Sequence, residues 1–144
     1  MADARGGPRR FRDGSPSTPI LFSGRSPSNN GLDKKLSKRD GGVGVVLEDE
    51  SLHGAFKVPS LRNIELTAPY MHDGRLKTLD SVFRHYNQRV QPHPTLDRRL
   101  QGRRGAGAVR LNLNSRERRA LVAFMKTLTD NEFQKDPRFG DPFR

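Results

Sequence analysis

The chain has 144 residues, of which 32% are hydrophobic and 30% are charged, and its formal net charge is +11. This length predicts one modest domain, and the low hydrophobic fraction leaves little apolar surface for a large core. The positive charge predicts attraction to anionic partners, while the absence of cysteine excludes disulfides, cysteine-bound zinc and thiol catalysis.

The first part of the sequence, residues 1–28, is rich in Gly, Pro, Ser and Arg, and we expect it to be disordered. It lacks the apolar stretch of a secretory signal, and no later run is long enough to span a bilayer. The residues alone therefore predict a cytosolic chain without a membrane segment. Asn29, Asn30 and Gly31 form a turn signal, and residues 33–44 read as a charged surface loop.

The next segments have short apolar runs interrupted by proline. Residues 43–47 predict a short strand or a buried loop segment. In "FKVPSLRNIELTAPY" two prolines limit regular structure, so we expect one helical turn from Ser60 to Ile64, with Ser60 as its cap. The following "HDGR" predicts a tight reversal that brings His72 near the next helix.

The first clear helix is predicted to begin after Thr78, which is a suitable N-cap, with Asp80 in its first turn. Apolar positions recur with the spacing of one helical face: Leu79, Val82, Phe83 and Tyr86. His85 falls toward the edge of this face, and Asn87 is a reasonable end of the helix. The helix is therefore expected to point Tyr86 into whatever it packs against.

A long loop from residue 91 to residue 107 precedes the second helix, and its length predicts a lid, a partner surface or local disorder. Asn114 and Glu117 form a capping-box pattern at the start of that helix. Its apolar positions again follow one face: Leu121, Phe124, Met125 and Leu128. After Asp130 the tail is expected to form an irregular strap. The fold class predicted by these elements is mainly α with long irregular loops.

Four side chains in this region are of the types that bind haem iron, namely Met71, His72, His85 and Tyr86. The residues alone leave two interpretations open, because thioether, imidazole and phenol groups also pack and form hydrogen bonds without a metal. No zinc spacing, serine-nucleophile motif or phosphate-binding loop is present.

Several arginines cluster in the long loop and just after it: Arg98, Arg99, Arg103, Arg104 and Arg110. They predict a solvated face or, alternatively, a docking surface for an acidic protein or for phosphates. Few aromatic residues lie among them, which argues against stacking on single-stranded nucleic acid.

The stretch "FKVPSLRNIELTAPYMHDGRLKTLDSVFRHYN", residues 56–87, closely resembles the C-terminal haem domain of the bacterial di-haem cytochrome c peroxidases, including the branch that matures methylamine dehydrogenase. The resemblance continues through "HPTLDRRL", "VRLNLNSRERRALVAFMKTLTD" and "DPRFGDPF", and it extends back to "NNGLD". It implies a cytochrome c-like helical domain over residues 29–144, incomplete at its start, whereas residues 1–28 do not match.

The resemblance also implies an activity and its partners. Members of the family carry c-type haem and a calcium ion, and they act in the periplasm. Electrons from a cytochrome c or a small copper protein enter the C-terminal haem and pass to a second haem in the N-terminal domain, where hydrogen peroxide is reduced. A homodimer is a further implied assembly.

Site residues follow from the same resemblance, position by position. Tyr86 falls at the distal iron ligand, which implies a His/Tyr haem with a lower potential than His/Met. Arg62 is implied as the partner of a haem propionate, and Met71 as a cofactor contact that is not the axial methionine. His72 is the catalytic candidate, near the haem edge and the domain interface. The backbone carbonyls of Thr67 and Pro69 are implied calcium ligands.

The sequence departs from the family pattern in three respects. It has no Cys-x-x-Cys-His segment, so it cannot form thioether bonds to haem, and it lacks both the N-terminal haem domain and a signal peptide. We therefore expect a fragment of a longer protein, or the product of a degraded gene, that does not reduce peroxide alone. The alternative is a non-catalytic basic module that binds an acidic protein or nucleic acid.

Overall fold

The computed structural model describes residue 24 and the ranges 26–35, 40–102 and 107–140. Most of the segment predicted to be disordered lies outside these residues, as do Arg103 and Arg104. No helix within the described ranges is both long and apolar enough to cross a membrane.

Short helices joined by irregular chain make up the described part of the protein. The α-helices are α1 (Val43–Val46), α2 (Leu79–Arg84), α3 (Ser115–Lys126) and α4 (Asn131–Lys135). Single 3₁₀ turns lie at Glu50–Leu52, Ile64–Leu66, Arg98–Leu100 and Pro137–Phe139. Across the described ranges, extended segments meet only at isolated bridges, such as Ser28 with Phe56 and Asn29 with Leu96. The prediction of a mainly α class is confirmed.

Helix α2 begins as its sequence predicts, but it ends differently. The Thr78 hydroxyl accepts a hydrogen bond from the Ser81 amide and completes a capping box. The predicted end at Asn87 is wrong, because α2 continues into a π-helical turn at His85–Arg89. The side chain of Asn87 explains this continuation: its Oδ1 accepts from the Leu113 amide at 2.6 Å and its Nδ2 donates to the Leu113 carbonyl at 3.0 Å.

Helix α3 has the predicted capping box, in which Asn114 accepts from the Glu117 amide and Glu117 accepts from the Asn114 amide. The helix packs against α2 and the Ile64–Leu66 turn. Its predicted apolar face is only partly covered, since no residue of α3 is buried and Phe124 is 51% exposed. This helix therefore carries apolar surface beyond what the described part of the chain covers.

The small core forms where the segment at residues 29–31 crosses the chain after the π-helical turn. Val90 is fully buried and Leu96 nearly so. The Gln91 amide donates to the Gly31 carbonyl at 2.7 Å, and the Asp97 amide donates to the Asn29 carbonyl at 3.0 Å. This crossing fixes the position of the turn signal at residues 29–31 against the end of α2.

Three other segments differ from the sequence-based expectation. The helical turn expected from Ser60 to Ile64 lies instead at Ile64–Leu66, with Asn63 and not Ser60 at its N-cap position. Residues 43–46 form α1 instead of a strand or buried loop, because the Val43 amide bonds to Ala55 and the Leu47 amide bonds back to Val43. The tail beyond Asp130 forms α4 and a 3₁₀ turn, in which Phe133 and Phe139 stack on each other with centroids 4.6 Å apart.

Candidate functional site

The predicted reversal after Tyr70 is present and is fixed to the rest of the fold. The Tyr70 amide donates to the Leu76 carbonyl at 2.7 Å, and Gly74 turns the chain with φ of 69°. Met71 has φ of 74°, a left-handed conformation that costs a non-glycine residue about 1–2 kcal/mol. Arg75 binds both carboxylate oxygens of Asp33, at 2.7 and 2.9 Å, and so ties the reversal to residues 26–35.

His72 contacts a different part of the structure from the one its sequence position predicts. Its ring stacks on Phe56 with centroids 3.8 Å apart, and its Nε2 lies 3.1 Å from Oδ2 of Asp40. The reversal instead brings the neighbouring Met71 toward α2, where the Asn30 Nδ2 donates to the Met71 sulfur at 3.2 Å. The thioether, rather than the imidazole of His72, is thus placed beside the end of α2.

His85 and Tyr86 lie on the π-helical turn next to Asn30. The Asn30 carbonyl bonds to Nε2 of His85 at 3.0 Å, and since a carbonyl only accepts, this nitrogen carries the proton. His85 is 4% exposed, whereas the sequence placed it at the edge of the apolar face. Burial lowers the pKa of His85 and so favours the neutral form of the imidazole.

Tyr86 is held by two neighbours. Its ring meets His85 edge-on, with centroids 5.1 Å apart. Burial raises the pKa of the Tyr86 phenol, and a hydrogen bond with the Asn30 side chain opposes this shift. Asn30 therefore bonds to two of the four predicted iron-binding side chains, the Met71 thioether and the His85 imidazole, and the ring of Tyr86 contacts the second of these.

The predicted calcium ligands lie on the loop between the Ile64–Leu66 turn and the reversal. Thr67 ends the 3₁₀ turn and is exposed, and Pro69 is exposed after a cis peptide bond. The Tyr70 hydroxyl donates to the Ile64 carbonyl at 2.9 Å, and this hydrogen bond joins the two ends of the loop. Arg62 precedes the turn with an exposed side chain, and its amide donates to the Ser60 hydroxyl at 3.2 Å.

The thioether, imidazole and phenol near Asn30 are side chains of the types that bind haem iron. Two concavities on the described surface, of about 470 and 410 Å³, lie elsewhere, beside Phe133 and beside His93. In the described ranges no three His, Asp or Glu side chains cluster as metal ligands. The described residues therefore bring three side chains of haem-ligand type near Asn30, away from both of these concavities.

No direct signal in the sequence indicates the part played by Asn30, which was predicted only as part of a turn. Its partners lie 41 and 55 residues further along the chain. The tight packing of Gly31 against Val90 and Leu96 is what places Asn30 there. Only the adjacent glycine, a residue that permits close approach, marks the position in the sequence.

Comparison with known proteins finds MauG proteins and cytochrome-c peroxidases among the relatives of this chain. No family model matches the chain. The methylamine utilization protein MauG of Methylorubrum extorquens is 40% identical over 74 residues, which are 51% of this chain and 19% of that protein. MauG of Paracoccus denitrificans is 33% identical over 132 residues, 81% of this chain and 33% of that protein. The cytochrome-c peroxidase IdrP2 of Pseudomonas sp. is 35% identical over 120 residues, 82% of this chain and 29% of that protein.

A solved structure extends the comparison to the fold. The crystal structure of a MauG-like protein associated with microbial copper homeostasis superposes with a TM-score of 0.66 at 36% identity, covering 89% of this chain and 41% of that one. The chain thus spans between a fifth and a third of the length of these curated relatives, in their C-terminal part.

Proposed function

We propose that this chain forms part of a peroxidase-type haem domain and transfers electrons toward hydrogen peroxide. The proposal starts from its homology to the C-terminal part of the di-haem cytochrome c peroxidases and the MauG proteins. The observation that carries the proposal is the clustering of Met71, His85 and Tyr86 about Asn30, in a fold shared with a MauG-like protein.

Tyr86 is the residue that we propose to face the iron. Its phenol is held on a π-helical turn, and π-helical turns often occur at functional sites. Since its pKa is raised, the isolated phenol stays protonated at pH 7, and a nearby cation such as ferric iron would favour the deprotonated form. When bound, the haem supplies the redox centre that takes up and releases single electrons.

The remaining predicted residues have supporting roles in this proposal. Arg62, with an exposed guanidinium group, is suited to bind a haem propionate by charge-assisted hydrogen bonds. His72, stacked on Phe56 and bonded to Asp40, stays a candidate for the haem edge, where it would move protons. The carbonyls of Thr67 and Pro69 are hard oxygen donors of the kind that calcium binds.

Peroxide reduction is proposed for the complete assembly and not for this chain alone. The chain has no cysteine for thioether bonds, and the relatives are three to five times as long as the part matched here. We propose that a further polypeptide segment covers the exposed Phe124 face of α3 and provides the covalent attachment and the second haem. The proposed location is the periplasm, and the proposed donor is a cytochrome c or a small copper protein.

Titration of the purified chain with ferric protoporphyrin IX, followed by absorbance, tests this proposal. We expect saturation at one haem per chain with wild type and Tyr70→Phe, and a changed spectrum with Tyr86→Phe. Tyr70 is the matched control because it is the only other tyrosine and its hydroxyl bonds to Ile64. The loaded chain should consume peroxide no faster than haem alone. Failure to saturate, or the same spectrum for all three proteins, would contradict the proposal.

A further inference from the structure

Two side chains of the types that bind iron, a thioether and a phenol, lie in the surroundings of Asn30. The Asn30 Nδ2 donates to the Met71 sulfur at 3.2 Å, and the Asn30 carbonyl accepts from His85, whose ring meets the Tyr86 ring edge-on with centroids 5.1 Å apart. A metal near this point could take either the thioether or the phenol. Which ligand it takes depends on how each is held before the metal binds.

The Met71 sulfur is held by Asn30. Thioether sulfur coordinates metals and reacts with oxidants through its lone pairs, and it is only a weak hydrogen-bond acceptor. A bond from the Asn30 amide occupies one of these lone pairs. The left-handed backbone of Met71, at φ of 74°, is a strained conformation that needs support from its surroundings. The hydrogen bond from Asn30 provides such support, because it holds the end of the Met71 side chain.

Asn30 is itself rigidly placed. Its carbonyl bonds to the buried His85, and the next residue, Gly31, packs against Val90 and Leu96. The His85 ring in turn contacts the Tyr86 ring edge-on. Asn30 is thus fixed to the element that carries the phenol, and it reaches from there to the sulfur.

We propose that Asn30 is a positioning residue that selects the iron ligand: its amide holds the Met71 sulfur in a hydrogen bond and leaves the Tyr86 phenol to face the metal. This inference rests on the proposed haem-binding function. It goes further by giving a physical reason why a methionine beside the site is not the ligand.

The first test needs no haem. Hydrogen peroxide converts a thioether to a sulfoxide, with one oxygen transferred to sulfur and water released. Peptide mass spectrometry measures this rate at Met71, with Met125 in the same molecule as the internal reference. Because Asn30→Leu and Asn30→Asp both keep the approximate side-chain shape but remove the N–H donor, each should raise the Met71 to Met125 rate ratio about two- to five-fold. Circular dichroism verifies that each variant is folded.

The second test uses ferric protoporphyrin IX and the absorption band of sulfur-ligated haem iron. We expect this band to be absent from wild type, present in Asn30→Leu, and lost again in Asn30→Leu combined with Met71→Leu. A purely structural role for Asn30 would weaken haem binding without creating a sulfur-ligated spectrum.

The outcomes separate the two proposals. An unchanged oxidation ratio in both Asn30 variants overturns the inference, whatever the haem does. A raised ratio without sulfur ligation overturns ligand selection and leaves haem binding intact. Absence of haem binding by wild type overturns the proposed function, and ligand selection with it. A raised ratio together with sulfur ligation confirms the inference.

Discussion

The substitution Gly31→Ala tests the crossing that places Asn30 beside α2. A Cβ at residue 31 would lie 2.6 Å from Cγ1 of Val90, 2.7 Å from the Gln91 carbonyl oxygen and 2.9 Å from Cδ1 of Leu96. Carbon atoms in contact normally stay about 3.5–4.0 Å apart, so the new methyl group must displace core side chains and backbone. Gly31 also has φ of 65°, a left-handed conformation that disfavours alanine.

The expected cost combines these two effects. The left-handed backbone contributes about 1–2 kcal/mol and the overpacking about 1–3 kcal/mol, which gives about 2–5 kcal/mol in the free energy of unfolding. At about 4 °C per kcal/mol, the unfolding midpoint should fall by about 8–20 °C. This is a large fraction of the stability of a small domain.

Gly107→Ala is the matched control. Gly107 has φ of 77°, and no described atom lies within 4 Å of the position its Cβ would take. The control therefore carries the backbone cost alone, about 1–2 kcal/mol. Thermal unfolding followed by circular dichroism compares the two variants. If Gly31→Ala lowers the midpoint no more than Gly107→Ala does, the described packing of residues 29–31 against Val90 is wrong.

Two further predictions concern polar groups that join distant parts of the chain. Asn87→Ala should lower the free energy of unfolding by about 2–4 kcal/mol, because the backbone N–H and the backbone C=O of Leu113 both lose their hydrogen bonds to the Asn87 side chain. Urea denaturation measures this change, and a midpoint equal to that of wild type would refute the prediction. Asp97→Asn should cost about 1–2 kcal/mol at pH 7, because Asp97 accepts hydrogen bonds from the side chains of Arg99 and Ser28. Those bonds lower the pKa of Asp97, so its contribution is complete above the unfolded value of about 3.9 and is lost as the pH falls below it. The variant should show a smaller loss of stability between pH 5 and pH 2.5, and parallel curves for variant and wild type would contradict this assignment.

Capping and turn signals in the sequence correctly predicted the starts of α2 and α3 and the reversal after Tyr70. Thr78 and Asn114 start helices because their side chains accept hydrogen bonds from amides two or three residues ahead, and such contacts depend only on nearby residues. The reversal at residues 70–76 follows in the same way from the turn-forming pair at residues 73 and 74.

Features set by distant contacts could not be predicted in this way. The apolar spacing of α2 did not predict the hydrogen bond from the Leu113 amide to the Asn87 side chain, which accompanies the π-helical turn after the helix. That turn buries His85, which the regular 3.6-residue spacing had placed at the edge of the face. The role of Asn30 likewise depends on a crossing of segments about 60 residues apart, such as the bonds from Gln91 and Asp97 to the segment at residues 29–31.

The resemblance carried the functional prediction further than the residue pattern did. Residue types alone left core packing and iron binding both open for Met71 and Tyr86, and favoured core packing. The relatives at 33–40% identity and the shared fold support the family resemblance, on which the proposed role of Tyr86 rests. The structure adds that Met71, and not His72, is the neighbour of Asn30 at the end of α2.

The central claim is that the phenol of Tyr86 is the group this chain presents to haem iron. Resonance Raman spectroscopy of the chain loaded with ferric protoporphyrin IX measures this most directly, because iron–phenolate vibrations identify the ligand. We expect these vibrations in wild type and in Tyr70→Phe, and their loss in Tyr86→Phe. Phenolate vibrations that persist in Tyr86→Phe, or that are absent from haem-loaded wild type, would contradict this claim.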